Sequence, residues 1–84
     1  MDQEITAAVR RVVHEHLGVA EADIGTTSSF TEDLGADPLQ LVELTLALED
    51  AFGVTIVDEE ARKMRTLQDA VRFIEKNRPD RPSS

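Results

Sequence analysis

The chain has 84 residues, a formal net charge of −8 and no Cys, which suits one small domain burying about 60% of the surface its unfolded form exposes. Without thiols it has neither a disulfide nor a thiolate metal site, so a helix bundle is the simplest way to close so small a core. Three Phe with no Trp or Tyr argue against a stacking platform for bases or sugars, and the negative charge makes nucleic acid and membrane poor partners.

Asp2 can cap a first helix, with Glu4 near its positive end. Ile5, Ala8, Val9, Val12, Val13 and Leu17 recur at helical spacing and predict a helix over about residues 3–17. Gly18 stops it. A loop is expected from about 19 to 36, pinned by Val19, Ile24, Phe30 and Leu34, with Gly35 turning the chain into the next helix.

The second helix has the clearest start. Asp37 is a good N-cap, and Pro38 suits the first helical position, where a missing N–H costs nothing. The helix is expected over about 38–52, ending near Gly53. It carries two apolar stripes. Leu41, Leu44, Leu48 and Phe52 make one, and Leu39, Val42 and Leu46 make the other. One stripe suffices for a core, so the second must line something or meet a partner.

Val54 to Val57 form a short β-branched run with no second strand to pair with, so it reads as an extended connector with Ile56 inward. Asp58 opens a short third helix with Glu59 and Glu60 at its positive end. Thr66 opens a fourth, with Asp69 three residues on as an approximate capping box. There Leu67, Ala70, Val71 and Ile74 face inward, and Arg72, Glu75 and Lys76 face water. Residues 78–84 read as a flexible C-terminal tail, too polar and Pro-rich to pack.

The charge is unevenly placed. From Val12 to Ala61 there is no Lys or Arg, while twelve acids fall in that stretch. A solvated surface usually mixes signs. This middle is therefore either a face for a basic partner or simply a soluble surface.

From Phe30 to Met64 the sequence resembles the acyl carrier protein family. The matching residues are Phe30-Thr31-Glu32-Asp33-Leu34-Gly35-Ala36-Asp37, Leu39, Val42-Glu43-Leu44, Ala47-Leu48-Glu49-Asp50, Phe52 and Asp58-Glu59-Glu60-Ala61. The match extends more weakly over the first and fourth helices. It implies a single acyl-carrier-like domain over 1–77, an all-α four-helix bundle with a long first loop and a short third helix. It also implies a non-enzymatic carrier in fatty-acid or polyketide biosynthesis, docking on carrier-using enzymes through their basic patches. Apart from the resemblance, no 18-residue apolar run and no signal-peptide pattern appears, so cytoplasm is the default compartment, and with no sign of stable oligomers a monomer is expected.

Family members hold acyl thioesters on a 4′-phosphopantetheine arm esterified to a Ser at the start of helix two, and the bundle interior shelters the chain. Here the triplet is Asp37-Pro38-Leu39. Pro38 has no hydroxyl, so the resemblance gives no usable attachment residue and no cofactor in this sequence. Gln40 stands where an acid is frequent, Leu41 where a small polar residue is common, and Val57 where Pro is usual. Three explanations compete: a natural carrier-like protein without its arm, a carrier with its Ser replaced, or use of another hydroxyl such as Ser28, Ser29 or Thr45.

The resemblance makes Asp37, Glu43, Glu49 and Asp50 docking carboxylates, against the alternative of a solvated helix face. It makes Leu39, Val42, Leu46 and Met64 apolar contacts beside the arm, against completion of the core. Gln40 falls within the same partner-binding surface. His14 and His16, two apart on a helix, cannot face one way, so no shared metal site is expected. Glu59 with Glu60 lacks ordered ligand spacing for Ca²⁺ or Mg²⁺. No suggestive Ser/His/Asp set or Gly-rich phosphate loop is present, so no catalytic residue is expected.

Overall fold

A computed structural model describes residues 2–77. Four helices follow in order: α1 Gln3–Leu17, α2 Pro38–Phe52, α3 Asp58–Lys63 and α4 Leu67–Asn77. A single 3₁₀ turn, Glu21–Asp23, interrupts the first connection. The fold is all-α, a four-helix bundle with a long first loop and a short third helix, as the spacing and the resemblance both predict. The tail expected over 78–84 lies outside the described residues.

The helix ends follow their local chemistry. The Asp2 carboxylate accepts from the N–H groups of Glu4 (2.8 Å) and Ile5 (3.1 Å), satisfying two free donors at the start of α1. Gly18 (φ +72°) and Gly53 (φ +67°) close α1 and α2 in the left-handed conformation that a Cβ disfavours. At the start of α4, the Thr66 hydroxyl accepts from the Asp69 N–H at 3.3 Å. The Asp69 carboxylate accepts from the Thr66 N–H at 3.2 Å. The capping box expected there is present in both directions.

The core joins α1 to α4. Ile5, Val9 and Val13 from α1 meet Leu67, Ala70, Val71 and Ile74 from α4, with Leu44 and Leu48 from α2. Ile24 and Phe30 are fully buried loop pins, whereas Val19 and Leu34 are half-buried. The 54–57 run is an extended connector. Val54 and Ile56 both point inward, because alternate residues of an extended chain share a face. One expectation fails in part. Arg72 and Lys76 are exposed, but Glu75 is half-buried, and its carboxylate accepts the backbone N–H of Asp2, the cap of α1.

The first loop is held by more than its apolar residues. The Arg10 Nε–H donates to Ile24 O (2.8 Å), and His14 Nδ1 lies 2.8 Å from Val19 O. His14 is half-buried and His16 exposed, the arrangement their spacing predicts. Further along, the Phe30 N–H donates to Arg65 O (2.9 Å), the Gln68 N–H donates to Thr26 O (2.8 Å), and Ser29 pairs with Thr66 in an antiparallel bridge. The loop is thus tied to the entrance of α4 by backbone bonds.

Candidate functional site at the start of helix two

Residues 29–36 form a tight knot that aims the start of α2. The Asp33 carboxylate accepts the Ser29 N–H at 2.7 Å, and Ser29 O accepts from Asp33 and Leu34 N–H, each at 3.0 Å. The Ala36 N–H returns to Phe30 O at 2.8 Å. Asp37 follows in extended conformation, and its carboxylate accepts the Gln40 N–H at 2.7 Å. Gln40 Oε1 in turn accepts the Asp37 N–H at 3.1 Å. This reciprocal box fixes the first turn, with Pro38 at a position that needs no donor. Gln40, a departure from the family pattern, thus has a structural partner that the sequence reading missed. The spacing Asp-x-x-Gln was the available signal.

The two stripes of α2 separate. Leu44 and Leu48 are buried, with Leu41 and Phe52 half-buried beside them. Leu39, Val42 and Leu46 remain 65%, 56% and 57% exposed. The exposed carboxylates Glu43 and Asp50 share their face, since positions three and four apart are neighbours on a helix. Asp37 is also exposed, but its carboxylate is engaged in the cap.

Glu49 is different. It is half-buried, and its Oε2 accepts the Ile56 N–H at 2.6 Å across the turn at Gly53. Met64 is half-buried against the core rather than displayed with the stripe.

The electrostatics of α2 are one-sided. Glu49 and Asp50 sit at its negative end, where acids are disfavoured, and no base occupies the last turn. Among the described residues the ion pairs are Arg11–Glu15 and Lys63–Glu60, so no α2 carboxylate has one. A helix that places acids without ion pairs against its own dipole, one of them held by a backbone N–H, beside an open apolar stripe departs from local stability rules, as functional surfaces do.

A cleft of about 720 Å³ lies between α2 and α3. Phe30, Leu44 and Leu48 line its buried part, with Leu41, Val42 and Pro38 from α2 and Ala61 and Met64 from the α3 side. Glu32, Asp58, Arg62 and Arg65 are exposed residues at its edge. The cleft is mostly apolar, with a few polar groups at its edge, as in sites that take small apolar ligands.

The three hydroxyls offered as alternatives each bond a backbone group. Ser28 Oγ accepts the Gly25 N–H at 2.9 Å, and Ser29 Oγ accepts the Glu32 N–H at 3.1 Å. The Thr45 hydroxyl donates to Leu41 O at 2.9 Å within α2. Among the described residues no three His, Asp or Glu side chains gather where they could hold a metal ion, and no helix is long and apolar enough to cross a membrane.

A four-helix bundle with a knotted first loop, a capped second helix and a cleft beside that helix's start defines a small helical carrier-type domain. The family model described as a phosphopantetheine attachment site matches residues 7–74, from within α1 to within α4. The chain belongs to that family, the carrier domains of the acyl carrier protein type.

Proposed function

We propose that this chain is a non-enzymatic docking domain of the carrier type. Its acidic α2 meets basic patches on fatty-acid or polyketide biosynthesis enzymes, and it is an acyl carrier scaffold by family resemblance whose attachment Ser is replaced by Pro38. The observation that carries this is the α2 face: Leu39, Val42 and Leu46 exposed together, flanked by Glu43 and Asp50, which have no ion-pair partner among the described residues. Complementary charge of this kind sets the rate and salt sensitivity of association more than its final affinity. Nucleic acid and membranes are not partners in this reading, and the domain works as a cytoplasmic monomer.

The residues at the α2 start do not fit an esterified phosphopantetheine arm. Pro38 stands at the position given by the resemblance and offers no hydroxyl. Ser28, Ser29 and Thr45 serve the backbone instead, in a loop or in mid-helix. Pro at the first helical position leaves the helix start intact, so a carrier scaffold persists without its attachment chemistry.

The test is the intact mass of the chain and its Pro38→Ser variant after incubation with coenzyme A and a broad phosphopantetheinyl transferase. The expected result is that the variant alone gains the arm. If neither gains it, the better reading is an arm-less interaction or regulatory protein that occupies a biosynthetic enzyme without carrying cargo. Leu41 and Gln40, which depart from the family pattern at the same helix start, favour that second reading. Its own test is salt-sensitive binding of the unaltered chain to a carrier-using enzyme. A gain on the unaltered chain overturns the assignment of Pro38.

A further inference from the structure

The weakest-held wall of the cleft is α3. It has six residues, no side-chain cap at its N-terminus and no buried residue. It hangs from the 54–57 connector, whose Val54 and Ile56 are buried. The Ile56 N–H has a side-chain partner, Glu49 Oε2, at 2.6 Å. A charge-assisted bond in a half-buried place is among the stronger kinds available to a backbone donor. Glu49 is reached from outside as well as inside. It lies on α2, next to Asp50 and one turn beyond Leu46, at the edge of the exposed apolar stripe.

We propose that Glu49 is a positioning residue that latches the connector and thereby holds α3 against the cleft, and that a basic group docking on α2 draws this carboxylate away and frees α3. A guanidinium competes with the Ile56 N–H for the same carboxylate. Winning that competition leaves the connector without its one polar tether to α2 among the described residues. The cleft, of which α3 supplies Asp58, Ala61 and Arg62, then opens in the docked state. No covalent step is involved. The latch stands on the geometry alone, and its release rests on the docking reading above.

The experiment is amide hydrogen exchange, read residue by residue, on the unaltered chain, Glu49→Gln and Glu49→Ala, each with and without a tetra-arginine peptide. Leu48 in the core serves as the internal reference for global folding. Glu49→Ala is expected to speed Ile56 exchange about tenfold while Leu48 is unmoved, the population change that losing one charge-assisted bond brings. Glu49→Gln keeps an acceptor oxygen and is expected to restore most of the protection. The peptide is expected to speed Ile56 exchange in the unaltered chain and to do nothing further in Glu49→Gln.

Ile56 protection unchanged in Glu49→Ala overturns the latch. A peptide that shifts α2 resonances yet leaves Ile56 protected overturns the release. A peptide that does not bind removes the docking reading and the release together, and the variants still decide the latch.

Discussion

The α1–α4 pair and the α2–α3 pair are both helical and both rich in aliphatic residues, yet they spend them differently. On α1 and α4, Val9, Val13, Leu67, Ala70, Val71 and Ile74 are wholly inaccessible. On α2, fifteen residues long, Leu44 and Leu48 are the buried ones, and α3 buries none. The first pair shows the narrow apolar face of an ordinary core helix. The second leaves an apolar stripe and a run of acids in water and encloses a cleft. Elements that bind or move come from the weakly packed part of a structure, and a rigid part must hold them in place. Here that support is the α1–α4 pair and its backbone ties to the loop before α2.

The sharpest way to break this contrast is a cavity on the stable side. Ile74→Ala is expected to lower the unfolding free energy by about 2–5 kcal/mol, because Ile74 has no access to solvent and its truncation leaves a cavity in the core. Urea denaturation followed by helical circular dichroism measures it. A loss under about 1 kcal/mol would mean the α1–α4 contact is not the main source of stability. Asp37→Ala is expected to cost about 1 kcal/mol by removing the cap on the Gln40 N–H, and the Gln40 amide should then exchange faster than those of α4. Equal change in both places would show the two halves melting as one unit. Pro38→Ser is expected to cost less, about 0.4–1 kcal/mol, because the unfolded chain regains the freedom Pro removes. Its helix start should keep the Asp37–Gln40 box. An unchanged melting midpoint would assign Pro38 no stabilising role.

Most of this contrast is legible in the residues alone. The helical bounds follow from period and punctuation: Asp2 and Gly18 for α1, Asp37-Pro38 and Gly53 for α2, Thr66 with Asp69 for α4. The two stripes of α2 could be separated by spacing, and the stripe expected to lack a core role is the exposed one. What escaped depends on pairings that no local pattern encodes. The Phe30–Arg65 and Gln68–Thr26 bonds join residues distant in the chain through backbone atoms, which are the same in every sequence. Glu49 looked like any other acid of α2, and its bond to Ile56 appears only once Gly53 has turned the connector back. Glu75 escapes for a similar reason, since its partner is the N–H of Asp2 at the far end of the chain. Gln40 was the exception that could have been found, because its spacing from Asp37 is a local signal.

The smallest expected effect on stability is also the most informative about use. Leu46 is 57% exposed on α2, lies outside the cleft lining, and shares a face with Glu43 and Asp50. Leu46→Ser should therefore shift the unfolding free energy by less than about 0.5 kcal/mol, the range of surface changes that touch no cap or core. If the face docks on an enzyme, the same change removes an apolar anchor from the middle of the contact, and binding should weaken by about 1 kcal/mol or more. Doubling the salt should weaken the unaltered chain's binding as well, through the carboxylates, while leaving the Leu46→Ser penalty nearly constant, because apolar burial is not screened. Titration calorimetry at two salt concentrations separates the two contributions. A stability loss comparable to that of Ile74→Ala would place Leu46 in the core after all and erase the distinction between the halves. An intact affinity beside an intact fold would leave the exposed stripe without a partner and remove the docking reading.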